Sequence, residues 1–245
     1  TLKIVVDTAF GATYALAPQL FRRLGIEAIF LHTEPDGLNI NKDCGSTHLE
    51  KLIEVVKSNA VDCGIAFDGD GDRCLAVSAE GEMIDGDQIM YICLNYLPVL
   101  QSEKSVVTTV MSNLGIEQAL LQQGKKMLRT QVGDRYVLEE MKRQGIRLGG
   151  EQSGHVIFTD YQVTGDGLLT ALQFLSAVHL SRQSWSELLA PIQRYPQTLL
   201  NVPVSPELKQ NWEQESIIQY AIEEAQEKLG TQGRILVRAS GTEPK

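Results

Sequence analysis

Apolar residues in this chain fall into short runs and helical stripes that take turns, which predicts alternating strands and helices. Lys3 to Asp7 reads as a buried strand, and Tyr14 to Leu24 as a helix. Gly25 stands where a left-handed residue ends a helix, and Glu27 to Leu31 follows as a second strand. The same phrase returns a hundred residues on: strand Ser105 to Val110, turn Ser112-Asn113-Leu114-Gly115, helix Ile116 to Gln123, a stop at Gly124, and strand Lys126 to Gln131. The first phrase is followed by a helix from Thr47 to Ser58, whose apolar face is Leu49, Leu52, Ile53, Val55 and Val56. Two short apolar runs come next, Cys63 to Phe67 and Cys74 to Val77, both strand-like. Asp85-Gly86-Asp87 opens a second region with a helix from Gln88 to Leu100, and a further helix spans Asp166 to Leu180. A last segment is expected to hold a strand (Thr198 to Val204), a polar helix (Asn211 to Leu229) and a strand (Arg234 to Val237). The expected fold class is α/β: two related α/β domains with mixed sheets, at 1–82 and 83–193, plus part of a smaller α+β domain at 194–245.

Composition narrows the function classes. With 43% hydrophobic and 22% charged residues the chain is ordinary for a water-soluble globular protein, and no run approaches the ~18 apolar residues of a membrane helix. A formal charge of −9 without a basic patch argues against nucleic acid as a partner. Cys44, Cys63, Cys74 and Cys93 have no C-x-x-C pairing; the last three sit in apolar runs and are expected to be reduced core residues, which points to the cytoplasm. Both ends look cut, Thr1 entering directly as a strand and Lys245 following a loop-like run, so a longer parent is expected.

The densest chemistry is Asp68-Gly69-Asp70-Gly71-Asp72-Arg73, between two predicted strands. Three crowded carboxylates call for a cation, and oxygen-only ligands suit Mg²⁺. An EF-hand is excluded, because its sixth and twelfth positions would be Arg73 and Ala79 and the flanks are not helices. A phosphatase reading, with Asp68 as nucleophile and Asp70 as acid, leaves Asp72 and Arg73 unexplained, and a solvated acidic turn leaves Arg73 and the strand framing unexplained.

Two further loops carry chemistry. In Gly150-Glu151-Gln152-Ser153-Gly154-His155 the polar residues alternate, so an extended backbone would aim Glu151, Ser153 and His155 to one side, where they suit sugar hydroxyls. Arg238-Ala239-Ser240-Gly241-Thr242-Glu243-Pro244 combines a guanidinium, hydroxyls and a glycine turn into a phosphate cradle without Walker spacing. In Val132-Gly133-Asp134-Arg135-Tyr136, Asp134 reads as an N-cap for a helix from Tyr136 to Arg143, and Arg135 is free to reach a ligand. The Asp36 to Asn41 loop has no assigned chemistry, and His32, His48 and His179 lack metal-ligand spacing.

Taken in order, D-G-D-G-D-R, G-E-x-S-G-H and R-x-S-G-T-E-P resemble the loops of the α-D-phosphohexomutase superfamily, over essentially the whole chain. Phe67, Gly86-Asp87-Gln88-Ile89-Met90, Val132 to Val137 and Thr164-Gly165-Asp166-Gly167 are similar to its glucosamine-phosphate branch. The resemblance implies that Asp68, Asp70 and Asp72 hold Mg²⁺, with Arg73 beside the transferring phosphoryl group. It implies that Glu151, Ser153 and His155 line the sugar site, that Arg238, Ser240, Gly241 and Thr242 anchor the phosphate that is not reacting, and that Arg135 binds substrate. Arg73 and His155 are the catalytic candidates, and the general acid and base stay unassigned. The implied reaction interconverts glucosamine 6-phosphate and glucosamine 1-phosphate for UDP-N-acetylglucosamine and cell-wall precursors, with glucose or glucosamine 1,6-bisphosphate as activator or intermediate. A related hexose-phosphate mutase and a non-catalytic binding module are the alternatives. The serine that carries phosphate in the family is absent here, so the chain alone is expected to be inactive. The expected partner is a small hexosamine phosphate, with no nucleic acid and no membrane; a homo-oligomer is left open.

Overall fold

The computed structural model describes residues 2–198, 200–230 and 233–239. They cluster into two compact units, 1–193 and 194–245. The first unit holds two sheets built to one plan. In the first sheet, β1 (Lys3–Asp7) is central, with β2 (Glu27–Leu31) parallel on one side and β3 (Cys63–Phe67) parallel on the other. β4 (Cys74–Ser78) runs antiparallel to β3, and the short β5 (Met83–Ile84) closes the edge, giving the order β2-β1-β3-β4-β5. Between β1 and β2 lies α1 (Leu16–Arg23); between β2 and β3 lies α2 (Glu50–Ser58). Every residue of β3 and β4 is buried, the pattern of strands covered on both faces.

Next comes α3 (Gly86–Tyr96). The second sheet then repeats the arrangement: β6 (Ser105–Thr109) is central, α4 (Leu114–Gln122) leads to β7 (Lys126–Thr130), and α5 (Asp134–Gln144) leads to β8 (Leu148–Gly150). β7 and β8 flank β6 in parallel, and β9 (Val156–Phe158) pairs antiparallel with β8, so the order is β7-β6-β8-β9. α6 (Gly167–Ser181) and α7 (Trp185–Leu189) complete the unit. One apolar core runs through both sheets and includes Phe21, Phe67, Tyr91, Phe158 and Phe174. α3 packs against β4, β8 and α6 and is buried from Gly86 to Leu94, as an all-round apolar helix must be.

Several boundaries differ from the pattern-based expectation, each for a local reason. α3 starts at Gly86 because Asp85 and Gln88 form a reciprocal cap (3.1 and 3.0 Å), and it stops at Tyr96 because Pro98 cannot continue it. α4 begins at Leu114, since Asn113 Oδ1 accepts from the Gly115 N–H (2.9 Å). Asp134 is not the N-cap of α5 but its first residue; Gly133 caps, and the Asp134 carboxylate accepts from the Arg135 N–H (2.7 Å).

The second unit contains α8 (Pro206–Asn211) and α9 (Ser216–Leu229), separated by a 3-10 turn at Trp212–Gln214. The helix expected from 211 to 229 thus begins only at Ser216, and an unexpected helix, α8, precedes it, started by the Ser205 side chain accepting from the Leu208 N–H (3.2 Å) with Pro206 behind it. Among the described residues of 198–204 and 234–237 no strand forms. These segments find no ladder to pair with, and apolar character alone does not make a strand.

Candidate metal and sugar-phosphate site

In a parallel sheet whose central strand is flanked on both sides, the crevice lies at the strands' C-terminal ends. Asp68 follows β3 directly, at that edge, and a turn through Gly71 (φ 78°) brings the chain back into β4. Asp68 is 1% exposed; its Oδ1 accepts from the Arg73 N–H (3.1 Å) and its Oδ2 from Arg73 Nε (2.6 Å). Burial works to raise the Asp68 pKa, but the Arg73 hydrogen bonds and charge prevail and hold it below the usual carboxylate value. Asp72 moves the other way: burial first, then the negative charge of Asp68, push its pKa up, with His155 opposing. Carboxylate oxygens of Asp68, Asp70 and Asp72 all lie within 4.8 Å of one another. This all-oxygen, like-charged cluster fits a hard divalent cation, which would relieve the repulsion that raises Asp72.

The second sheet contributes the equivalent hairpin. Residues 151–155 link β8 to β9 as 68–73 link β3 to β4, and the two loops touch. Arg73 pairs antiparallel with His155, the Cys74 N–H donates to Gly154 O (3.0 Å), and the Gly86 N–H donates to Gln152 O (3.0 Å). Only glycine permits this approach: a Cβ on Gly86 would lie 2.1 Å from Glu151 O, and one on Gly154 (φ 96°) 2.4 Å from Cys74 O. His155 is 6% exposed, with Nε2 3.5 Å from Asp72 Oδ2 and Nδ1 buried without a hydrogen-bond partner.

The extended arrangement expected for 151–155 is not what forms. The Gly154 N–H donates to Glu151 O (3.0 Å), closing a turn, because Gly154 adopts a left-handed conformation. Glu151 and Ser153 meet on that turn, the Ser153 hydroxyl donating to Glu151 Oε2 (3.4 Å), while Glu151 Oε1 accepts from the Gly133 N–H (3.1 Å). His155 lies apart from them, against Asp72. Arg135 projects to solvent with its side chain 81% exposed, its Nε 2.8 Å from Glu139 Oε1. Arg238 is exposed in the second unit; Ser240, Gly241 and Thr242 lie outside the described residues.

Sequence patterning assigned no structural role to the residues that brace the acidic loop, Gly165 and Gly167 entering only through the resemblance. The Gly167 N–H, at the start of α6, donates to Gly71 O (2.9 Å), the Ala12 N–H donates to Gly69 O (2.8 Å), and Gly165 packs against the His155 ring. A glycine directly after a strand or before a helix was the available signal. Asp87 was likewise undervalued. It is fully buried; Oδ2 accepts from the Asn113 N–H (2.8 Å) and Oδ1 has no hydrogen-bond partner. Burial above all, then the charge of Asp85, pushes its pKa up to about 7 against bonds from Asn113 and Ser112 and the charge of Arg129. All four cysteines are buried and unpaired.

A doubled α/β fold that presents a carboxylate loop and a polar Glu-Ser-His hairpin at one junction defines the phosphohexomutase class. The chain belongs to the phosphoglucomutase/phosphomannomutase family: alpha/beta/alpha domain II matches residues 1–81, alpha/beta/alpha domain III residues 85–195, and the C-terminal domain residues 199–245. It is similar to the phosphoglucosamine mutase of Symbiobacterium thermophilum, 54% identical over 99% of this chain and 54% of that protein. The phosphoglucosamine mutase of Pelotomaculum thermopropionicum is 52% identical over 99% of this chain and 55% of that protein. The chain thus spans about half the length of these relatives. In fold it resembles Aspergillus fumigatus N-acetylphosphoglucosamine mutase, with a TM-score of 0.77 at 19% identity over 100% of this chain and 56% of that one. Among the described residues no helix is long and apolar enough to cross a membrane.

Proposed function

We propose that the chain supplies the metal, sugar and distal phosphate loops of a phosphoglucosamine mutase that interconverts glucosamine 6-phosphate and glucosamine 1-phosphate. The observation that carries this reading is the junction at which Arg73 pairs with His155, setting the Asp68–Asp72 loop against the Glu151–His155 hairpin. The names and identity levels of the bacterial relatives support glucosamine as the sugar.

Asp68, Asp70 and Asp72 would hold Mg²⁺, which when bound withdraws charge from the phosphoryl group in transfer. Arg73, pinned through Nε on Asp68, keeps a cation beside that group. Glu151, oriented by the Gly133 N–H, and Ser153 hold sugar hydroxyls in either orientation of the substrate. His155 contributes a buried imidazole set against Asp72 of the acidic loop. Arg238, with Ser240, Gly241 and Thr242, anchors the phosphate that is not reacting, and Arg135 is a further substrate-binding residue. Fixed anchors let a 1,6-bisphosphate intermediate turn within the site, so positioning and electrostatics carry the catalysis. The phosphoryl donor, a serine phosphate, comes from sequence that this chain does not contain. The division at 1–82, 83–193 and 194–245, and a role in the cytoplasm in cell-wall precursor synthesis, belong to the same reading.

The test is a coupled assay of the full-length parent with glucosamine 6-phosphate, glucose 1,6-bisphosphate and Mg²⁺. Turnover that disappears with a chelator is the expected result. A parent that prefers mannose or glucose phosphate would overturn the sugar assignment. Turnover by the 245-residue chain alone would overturn the missing-donor part.

A further inference from the structure

Asp7, at the C-terminal end of β1, makes no contact with the three metal-loop aspartates in the bonds it forms, yet it organises the segments that seat their loop. Its side chain is fully buried. Oδ1 accepts from the Ala9 N–H (2.8 Å) and lies 2.9 Å from His32 Nδ1; Oδ2 accepts from the Gly45 N–H (3.0 Å). One carboxylate thus ties the β1–α1 connection to two points of the β2–α2 connection. Those loops are strained: Ala9, Phe10, His32, Asn41 and Asp43 all hold positive φ, between 50° and 57°. Outside this region Arg182, at the end of α6, is the one other non-glycine residue with positive φ among those described. Left-handed backbone is unfavourable for residues with a Cβ and persists only where the surroundings over-determine it.

What the strained loops do is press on the metal loop. The Asn41 N–H donates to Ala9 O (2.9 Å), so the two segments move together. A Cβ on Gly69 would lie 2.5 Å from Asn41 Nδ2 and 2.9 Å from Ile40 Cδ1; one on Gly11 would lie 2.3 Å from Gly69 O. Gly45 packs on Phe67 O, the carbonyl just before Asp68, where a Cβ would come within 2.5 Å. Both glycines between the aspartates are touched from this side, Gly71 by the Thr13 methyl.

We propose that Asp7 is a positioning residue for the metal site: through the Ala9 and Gly45 N–H groups it locks two strained loops onto Gly69, and so sets the convergence of Asp68, Asp70 and Asp72. The proposal rests on the metal reading above. Its test is Mn²⁺ affinity of the 245-residue chain, followed by electron paramagnetic resonance, beside a thermal melt of each variant. Wild type binds one Mn²⁺, and Asp68→Asn abolishes it. Asp7→Asn turns one acceptor into a donor facing an N–H, and weakens Mn²⁺ binding by about tenfold or more, the usual size for an outer partner of a metal site. Ile40→Ala removes a half-exposed side chain that rests on Gly69 and leaves the Asp7 bonds intact; it gives an intermediate loss at unchanged melting temperature.

A folded Asp7→Asn chain binding Mn²⁺ within about twofold of wild type overturns the proposal. If Asp7→Asn fails to fold, unchanged affinity in Ile40→Ala overturns it. A wild type that binds no Mn²⁺ overturns the metal reading and this proposal together, whereas binding that only Asp68→Asn removes sinks the positioning role alone.

Discussion

Asp87→Asn should stabilise the protein in alkaline solution and do little in acid. The wild-type carboxyl is fully buried, with its pKa pushed up from 3.8 to about 7 mainly by burial. Because the folded value lies above the unfolded one, the group favours folding below pH 3.8, and that contribution is lost as pH rises towards 7. At about 1.36 kcal/mol per pH unit, the gap between 3.8 and about 7 amounts to about 4 kcal/mol of cost once both forms are ionised. Asparagine has nearly the same shape and no charge. Its carbonyl can accept from the Asn113 N–H as the carboxylate does. Urea unfolding followed by circular dichroism at pH 5 and pH 8 measures the effect. The advantage of the variant should widen by about 2–3 kcal/mol between the two pH values, a shift in midpoint of roughly 1 M. Carboxylates remote from Asp87 cancel in the difference, whereas Asp85, whose charge adds to the shift, is relieved together with it. An advantage independent of pH, or a variant less stable at pH 8, would refute the reasoning and show that attraction to Arg129 outweighs burial.

Three further outcomes follow from the geometry. Gly154→Ala forces a Cβ to 2.4 Å from Cys74 O at φ 96°, and should cost about 2–4 kcal/mol in a denaturant titration; Gly124→Ala, also left-handed but with open space around it, should lose only about 1 kcal/mol. The four thiols should resist Ellman's reagent in the native chain and react fully in denaturant, since all are buried and burial pushes Cys63 up to about 12 and Cys44 up to about 11; fast native labelling would contradict that. Gly86→Ala should also lower stability, by about 1–3 kcal/mol, because the clash with Glu151 O outweighs the gain in helix propensity.

The sequence was most legible where one residue type answered one need. Buried strands such as β1 and β3 announce themselves as apolar runs, and glycines such as Gly25 and Gly124 mark helix ends, both left-handed as expected. The convergence of Asp68, Asp70 and Asp72 was legible because three carboxylates two apart on a tight turn must crowd together. What stayed hidden depends on contacts between distant segments. No local pattern shows that His155 will face Asp72, that Gly86 must be bare to admit Glu151 O, or that Asp7 will gather Ala9, His32 and Gly45. The alternation in Glu151-Gln152-Ser153-Gly154-His155 misled because one left-handed glycine outweighs a period-two pattern. The strands expected at 198–204 and 234–237 failed because a strand is a relation between segments, which composition does not encode.

The seam between the two sheets carries its own consequence. Where Gly154 lies on Cys74, Gly86 on Glu151 and Gly167 on Arg73, main chain meets main chain with no side chain between to yield. Flexible side chains let domains slide; bare backbone contacts of this kind do not. The acidic loop and the Glu-Ser-His hairpin therefore travel as one rigid jaw, assembled before any ligand arrives. Any ligand taken up at this junction must enter and leave without these two loops parting.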